Sequence, residues 1–384
     1  MKLLIIGAGL GGLVAGIALC RAGFDVEIHE QASVLGEVGA GLTLSRGAQS
    51  VFRALDVQDR IAPFACRSAA FPFLHHASAR LLAGAHDHGS GAADDGVADV
   101  GRQIHRADLH AVLVAAFEAL GPPVVLGHAL TSIVETPGGV LARFANGDSA
   151  KGNALIGADG VRSVVRGLLW GDDAPRFTGQ VAYRFLVDAD TARPFMGQGR
   201  SAVWLGPRRT FNRYTLRGGA IVNCVGIAAT DTWTGDGWST PASIAEMRSD
   251  FAGFHPDVAG LIGHADAAIK WGLFDRAPLD RWTKGRVTLL GDSAHAMLPF
   301  LGLGAAMAIE DGMILSRAFA MEDTVEAAFT RYETARRPRT GLIHAKSIEQ
   351  GELTQARDPD TYDGAAAPSS DPVITGYDPV TAPI

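Results

Sequence analysis

The 384-residue chain has only three cysteines, Cys20, Cys66 and Cys224, widely separated and odd in number. Odd, scattered cysteines with no Cys-x-x-Cys pair argue against a disulfide framework and a zinc knuckle, and a reducing, cytoplasmic setting is expected. An excess of positive charge is also missing, since 34 Lys and Arg face 41 Asp and Glu for a formal net charge of −7. A chain of this sign is poorly suited to neutralising phosphates, so nucleic acid is not an expected partner. Long uncharged runs are few and broken. Leu3 to Cys20 is interrupted by Gly7, Gly9, Gly11, Gly12 and Gly16, and Ser293 to Ile309 by His295, Pro299, Gly302 and Gly304. Neither reads as a membrane span or a signal segment. Apolar residues at 47% and charged residues at 20% are ordinary globular usage. Glycine, at 47 residues, is abundant, and its clusters carry most of the chemistry.

The first cluster follows a short apolar run. Leu3-Leu4-Ile5-Ile6 has the continuous hydrophobicity of a strand buried on both faces. Leu10, Leu13, Val14, Ile17 and Ala18 then recur at helical spacing. Between them, Gly7, Gly9 and Gly12 fit G-x-G-x-x-G. In that pattern the first glycine allows the tight turn, the second lets a pyrophosphate approach, and the third lets helix and strand pack closely. The helix start adds unpaired N–H groups and a positive dipole end. A second strand ends at Glu30, 18 residues beyond Gly12, near the spacing at which a carboxylate accepts from ribose hydroxyls. A carboxylate there favours an unphosphorylated ribose, as in FAD or NAD.

Two later segments repeat the strand-into-Gly/Asp design. Ala154 to Gly157 runs into Ala158-Asp159-Gly160, and Arg286 to Leu290 into Gly291-Asp292, with a helix expected from Ala305 to about Ala320. Asp292 and His295, three apart in a turn without a third ligand, do not make a metal site. His86 and His88 fall in a low-complexity stretch, Ala83 to Gly101, that reads as a solvated loop. No metal is expected. Asp108 to about Leu120 reads as a helix with Leu109, Val112, Leu113 and Phe117 on one face, and 241–265 also reads as helical.

With these segments in order, the chain resembles the single-component FAD-dependent aromatic hydroxylases, including the salicylate and 6-hydroxynicotinate hydroxylases. The segments that carry the resemblance are GAGLGG from Gly7, IHRADLHAVL from Ile104, GADGVRSVVR from Gly157, GDSAHAMLP from Gly291 and TGYDPV from Thr375. The resemblance implies an α/β fold, a Rossmann-like FAD-binding domain (1–70, 100–176 and 266–350) with an inserted β-sheet substrate domain (71–99 and 177–265) and an irregular tail (351–384). With Gly7 and Gly12 already placed by the fingerprint, it implies FAD contacts by Gly9, Glu30, Arg106, Leu130, Asp159, Asp292, Gly302, Leu303 and Gly304, and links Asp159 to nicotinamide nucleotide binding as well. Asp292 is expected to lie between strand, helix and ribityl chain, and Glu30 nearer solvent.

The resemblance also implies NADH or NADPH as cosubstrate and O2 activation as a C4a-hydroperoxide of the flavin. The substrate would be a small phenolic or hydroxy-heteroaromatic ring bearing a carboxylate, and the protein a monomer or homodimer. A flavin oxidoreductase of the same fold that inserts no oxygen is the alternative. The pattern of the hydroxynicotinate-type members has histidines where this chain has Thr43 and Phe300. Tyr214 matches a tyrosine of the substrate sheet. Arg184, Arg209 and Arg213 are the cations that the sheet offers, and Tyr214, Arg184 and Arg213 are the expected catalytic set.

Overall fold

Leu3, Leu4 and Ile5 are fully buried in the strand Lys2–Ile6. Burying a side chain of this kind stabilises by about 1.5–3 kcal/mol, so this strand anchors the larger core. In this computed structural model the described residues are 1–36, 41–67, 71–84, 101–171, 174–233, 239–364 and 371–384. His86 and His88 lie outside them.

Lys2–Ile6 pairs in parallel with Asp25–His29 on one side and Ala154–Gly157 on the other. Ala154–Gly157 pairs in turn with Val287–Leu289, also in parallel. The three strands that end in Gly-rich turns are therefore neighbours, and their turns emerge at one edge. Helices Leu10–Arg21 and Gly304–Met321 pack together over this sheet. The helix Arg106–Glu118 buries Leu109, Leu113 and Phe117, with Val112 half-buried, and starts two residues earlier than the periodicity indicates.

An eight-stranded, mostly antiparallel sheet is drawn from residues 73–83, 176–229 and 239–275. One face packs Tyr183, Phe185, Trp204 and Phe211 against the helices Ile244–Asp250 and Pro256–Gly263. These two helices replace the single helical stretch expected over 241–265. Gly253, at φ +83°, and Pro256 at the start of the second helix separate them. The opposite face carries Ala182, Val225, Ile227, Trp271 and Leu273 and meets Leu298 and Phe300.

The helix Val325–Thr354 extends past residue 351, and beyond it the described residues form only short helical turns, Pro359–Thr361 and Pro372–Thr375. The last segment is nevertheless docked: Arg317 donates to the Pro379 carbonyl at 2.8 Å and Arg331 to that of Ile384 at 2.8 Å. Among the described residues, no helix is long and apolar enough to cross a membrane.

Candidate active site

The GAGLGG turn is close-packed on one side and open on the other. Gly7 has φ +108°, and a Cβ there would lie 2.4 Å from the Ala158 carbonyl oxygen. A Cβ on Gly12 would lie 2.1 Å from the Gly7 oxygen, whereas one on Gly9 would meet nothing within 4 Å. The Glu30 carboxylate accepts from the Ala8 N–H at 2.9 Å and the Ala32 N–H at 2.9 Å, so the acid is held against the turn. His110, within IHRADLHAVL, donates from Nε2 to the Ala8 carbonyl at 2.8 Å. Nothing local to IHRADLHAVL marks His110 for this bond. Its place beside Leu109, Leu113 and Phe117 on the buried side of that helix is the signal the sequence holds.

The second and third turns are tied to each other. The Ser293 hydroxyl donates to the Gly157 carbonyl at 2.5 Å, and fully buried Arg166 reaches the Ala294 carbonyl at 3.3 Å. Asp159 accepts from the Ser163 hydroxyl at 2.5 Å and the Val165 N–H at 3.0 Å, which fixes the start of the helix Val164–Trp170. Burial pushes the Asp159 carboxyl above its ordinary range, against the lowering effect of those two donors. Asp292 is exposed, and a Cβ on Gly304 would lie 3.9 Å from its Oδ1. Asp292 and the Gly302–Leu303–Gly304 segment therefore share one wall. Gly302 is left-handed at φ +67°, its Cβ direction is open, and an 18-residue helix begins at Gly304.

A flavin dinucleotide fits these residues. The open side of Gly9 and the first N–H groups of Leu10–Arg21 suit a pyrophosphate. Asp292, unlike Glu30, is exposed along the open wall, so its enclosure requires the ribityl chain itself. Arg106 opens the helix Arg106–Glu118 half-buried, and its charge bears on Arg184. Leu130 starts the strand Leu130–Thr136 and is 8% exposed within the main core. Among the described residues, no group of three or more His, Cys, Asp or Glu is placed to hold a metal.

The eight-stranded sheet divides the expected catalytic set. Tyr214 stands opposite Asn223, and Arg184 opposite Val225, so both project from the face that meets Phe300. Arg213, the neighbour of Tyr214, necessarily points the other way. It is fully buried over the Trp204 ring and donates to the Gly199 carbonyl at 2.5 Å. Burial lowers its pKa to about 10, opposed by Cys224 and Asp257. The structure thus separates Arg213 from Tyr214 and Arg184.

On the Phe300 side, Tyr214 lies against Gly41 and edge-on to Phe71, with ring centres 6.0 Å apart. Burial pushes its phenol well above the usual tyrosine range, and Arg184 pulls it back only in part. Burial likewise lowers the Arg184 pKa, with Tyr214 acting against that and Arg106 adding to it. The Arg184 guanidinium lies 5.9 Å from the centre of the Trp271 ring. Its buried Nε has no hydrogen-bond partner, nor does Oδ1 of Asn212 or Nδ2 of Asn223. Asn223 is orientated by the Gly41 N–H, which donates to its Oδ1 at 2.9 Å, so Nδ2 is left as a donor. Buried polar atoms are normally paired. Several unsatisfied ones on a face otherwise built from Val225, Ile227, Leu298 and Phe300 mark a site for a polar, flat guest. Asn212 and Asn223 were not singled out from the sequence. Asn223 stands alone in the apolar run Ile221–Val225, which is the signal that was there.

Comparison with known proteins matches residues 1–347 to the FAD binding domain family. The chain is 35% identical over 359 residues to the 3-amino-4-hydroxybenzoate 2-monooxygenase PtnB3 of Streptomyces platensis, covering 91% of this chain and 87% of that protein. It is 35% identical over 360 residues to the 3-hydroxybenzoate 6-hydroxylase of Polaromonas naphthalenivorans (strain CJ2), covering 93% and 89%. Among solved structures, Klebsiella pneumoniae HpxO, crystallised with FAD and uric acid, superposes with a TM-score of 0.82 at 25% identity over 94% of this chain and 90% of that one.

Proposed function

The chain belongs to the FAD binding domain family, among flavoprotein monooxygenases, and from that premise we propose that it hydroxylates a hydroxylated aromatic ring bearing a carboxylate, held between Arg184 and Tyr214. The observation that carries this reading is the set of unsatisfied polar atoms beside Arg184 and Tyr214 on an otherwise apolar sheet face. When bound, FAD supplies hydride acceptance from NADH or NADPH and the activation of O2.

Arg184 binds an anionic group of the ring, and its charge favours phenolate over phenol, the more nucleophilic form. Tyr214, its own pKa raised by burial, stays protonated and donates a hydrogen bond to the ring oxygen. Asn223 Nδ2 offers a second donor and Asn212 Oδ1 an acceptor. Leu298 and Phe300 supply apolar wall that excludes water from the reacting carbon. Gly9, Glu30, Arg106, Asp159, Asp292 and the Gly302–Gly304 backbone hold the cofactor, with Gly7 and Gly12 shaping the turn and Leu130 lying beside it. As a monomer or homodimer, the enzyme is placed in the reducing cytoplasm, a setting in keeping with three free cysteines.

The test is NADH and NADPH consumption by the flavin-loaded protein with 3-hydroxybenzoate, 3-amino-4-hydroxybenzoate and 6-hydroxynicotinate, with product mass under labelled O2. Incorporation of one labelled oxygen is expected. Substrate turnover without label would replace this reading with a non-inserting oxidoreductase.

Tyr214→Phe is expected to reduce hydroxylation by roughly 5- to 150-fold, the value of one hydrogen bond of about 1–3 kcal/mol. More NAD(P)H should then be lost to hydrogen peroxide, with FAD affinity unchanged. Wild-type turnover and coupling in this variant would make Tyr214 a strand residue with no part in the reaction.

Asp292→Ala is expected to raise the FAD dissociation constant more than Glu30→Gln does. An alanine leaves covered ribityl hydroxyls unpaired, at about 1–3 kcal/mol, whereas a glutamine keeps one acceptor oxygen at the ribose. Fluorescence titration of the apoprotein decides it, and equal affinity in Asp292→Ala and wild type counts against this placement.

A further inference from the structure

We infer that Tyr377, Arg336 and Asp311 are positioning residues for the flavin, through which the C-terminal segment 371–384 holds the turn that presents Asp292. The inference rests on the FAD site proposed above and extends it to residues that do not line it.

Asp311 is fully buried and gathers three donors: the Gly291 N–H at 2.9 Å, His295 Nε2 at 2.6 Å and Arg336 Nε at 2.6 Å. Gly291 and His295 bracket Asp292, so one carboxylate holds both ends of the one-turn helix Asp292–His295. The turn needs holding, because Gly291 has φ +68° and ψ −141°, outside any regular structure. Burial opposes ionisation of Asp311, but His295 and Arg336 outweigh it and hold the carboxyl at about 2. The acceptor therefore stays charged throughout the working range.

Arg336 passes the constraint outward. It is 0% exposed, donates from Nη1 to Glu310 at 2.9 Å and to the Tyr377 hydroxyl at 3.2 Å, and reaches the Met307 carbonyl from Nη2 at 3.3 Å. Arg339 bonds the same Glu310, lies 4.2 Å from the centre of the Tyr377 ring and donates to the Val373 carbonyl at 2.6 Å. Two arginines and two acids thus balance charge in the interior. Tyr377 packs its ring and hydroxyl on both guanidinium groups. The segment is fastened beyond Tyr377, where the Ser50 hydroxyl donates to Asp378 at 2.6 Å. Buried ion pairs lose strength when water enters and screens them. Removing the tyrosine therefore loosens Arg336, then Asp311, then the turn carrying Asp292.

The experiment compares wild-type holoenzyme with Tyr377→Ala, Tyr377→Phe and Asp311→Asn. It reads the rate of FAD release at a temperature well below unfolding, the visible flavin spectrum and the peroxide fraction. Leu261→Ala, a cavity under the far face of the eight-stranded sheet, serves as a destabilised control. Tyr377→Ala and Asp311→Asn are expected to release FAD at least tenfold faster, with a less structured flavin absorption band. Tyr377→Phe, which keeps the ring, should stay within about fivefold of wild type, and Leu261→Ala within twofold. If Tyr377→Ala and Asp311→Asn lower thermal stability as Leu261→Ala does but release FAD at the wild-type rate, the cluster is structural only and the inference is overturned. A wild-type chain that takes up no FAD would overturn the flavin reading and this inference with it.

Discussion

Gly12→Ala should destabilise the fold by about 3 kcal/mol, while Gly9→Ala should fold normally and fail to retain flavin. The two glycines sit three residues apart in one turn, and the difference is steric. A Cβ on Gly12 falls 2.1 Å from the Gly7 carbonyl oxygen, backbone that moves only by separating helix from strand. A Cβ on Gly9 meets no protein atom within 4 Å, and at φ −69° and ψ 176° the residue has a backbone that alanine adopts freely. Its space is where a pyrophosphate would lie over the helix start. Thermal unfolding should show Gly12→Ala lower by roughly 4 °C and Gly9→Ala near wild type, with the FAD affinity of Gly9→Ala reduced at least tenfold. Wild-type FAD affinity in Gly9→Ala would mean that no phosphate lies over this turn.

Arg184→Met should lower kcat/KM for a hydroxybenzoate by roughly 30- to 5,000-fold, and leave FAD affinity unaffected. Truncating one partner of a buried, hydrogen-bonded charge pair costs about 2–5 kcal/mol, because the other charge is left enclosed without compensation. Arg184 has an unsatisfied buried Nε and a guanidinium near the Trp271 ring, so the site already holds the cation where a substrate anion would meet it. Methionine keeps length and apolar bulk, so the variant tests charge and hydrogen bonding rather than packing. Arg184 also stands close enough to Arg106 for their charges to oppose. An Arg213→Met variant should behave differently, losing stability through the Trp204 and Gly199 contacts. If Arg184→Met keeps wild-type kcat/KM on every hydroxybenzoate tried, the ring is held elsewhere.

Much of the cofactor end was legible in the chain because its determinants are local. A strand of four apolar residues, glycines at fixed offsets and an acid at the end of the next strand specify a turn and its chemistry within the first 30 residues. The same logic located the Ala158–Gly160 and Gly291–Asp292 turns, since each follows directly from its own strand. The GAGLGG turn's dependence on His110, and the bond between Ser293 and Gly157, were not readable, because those partners are 102 and 136 residues apart.

The substrate face shows where local reading stops. Strand alternation puts Tyr214 and Arg213 on opposite sides, which the expected catalytic set of Tyr214, Arg184 and Arg213 overlooked. Which side meets the helices Ile244–Asp250 and Pro256–Gly263, and which meets Phe300, was decided only when the sheet packed, because parity fixes relative and not absolute direction. Asn223 came beside Tyr214 through cross-strand register, and Arg184 through a strand that begins 33 residues before Arg209. The sequence alone determined the chemistry of the turns, since short-range sterics and hydrogen bonding fix a backbone. The tertiary structure alone decided which side chains meet over the sheet and that segment 371–384 closes on Arg336. Those contacts join distant parts of the chain, and only burial of the whole core brings them together.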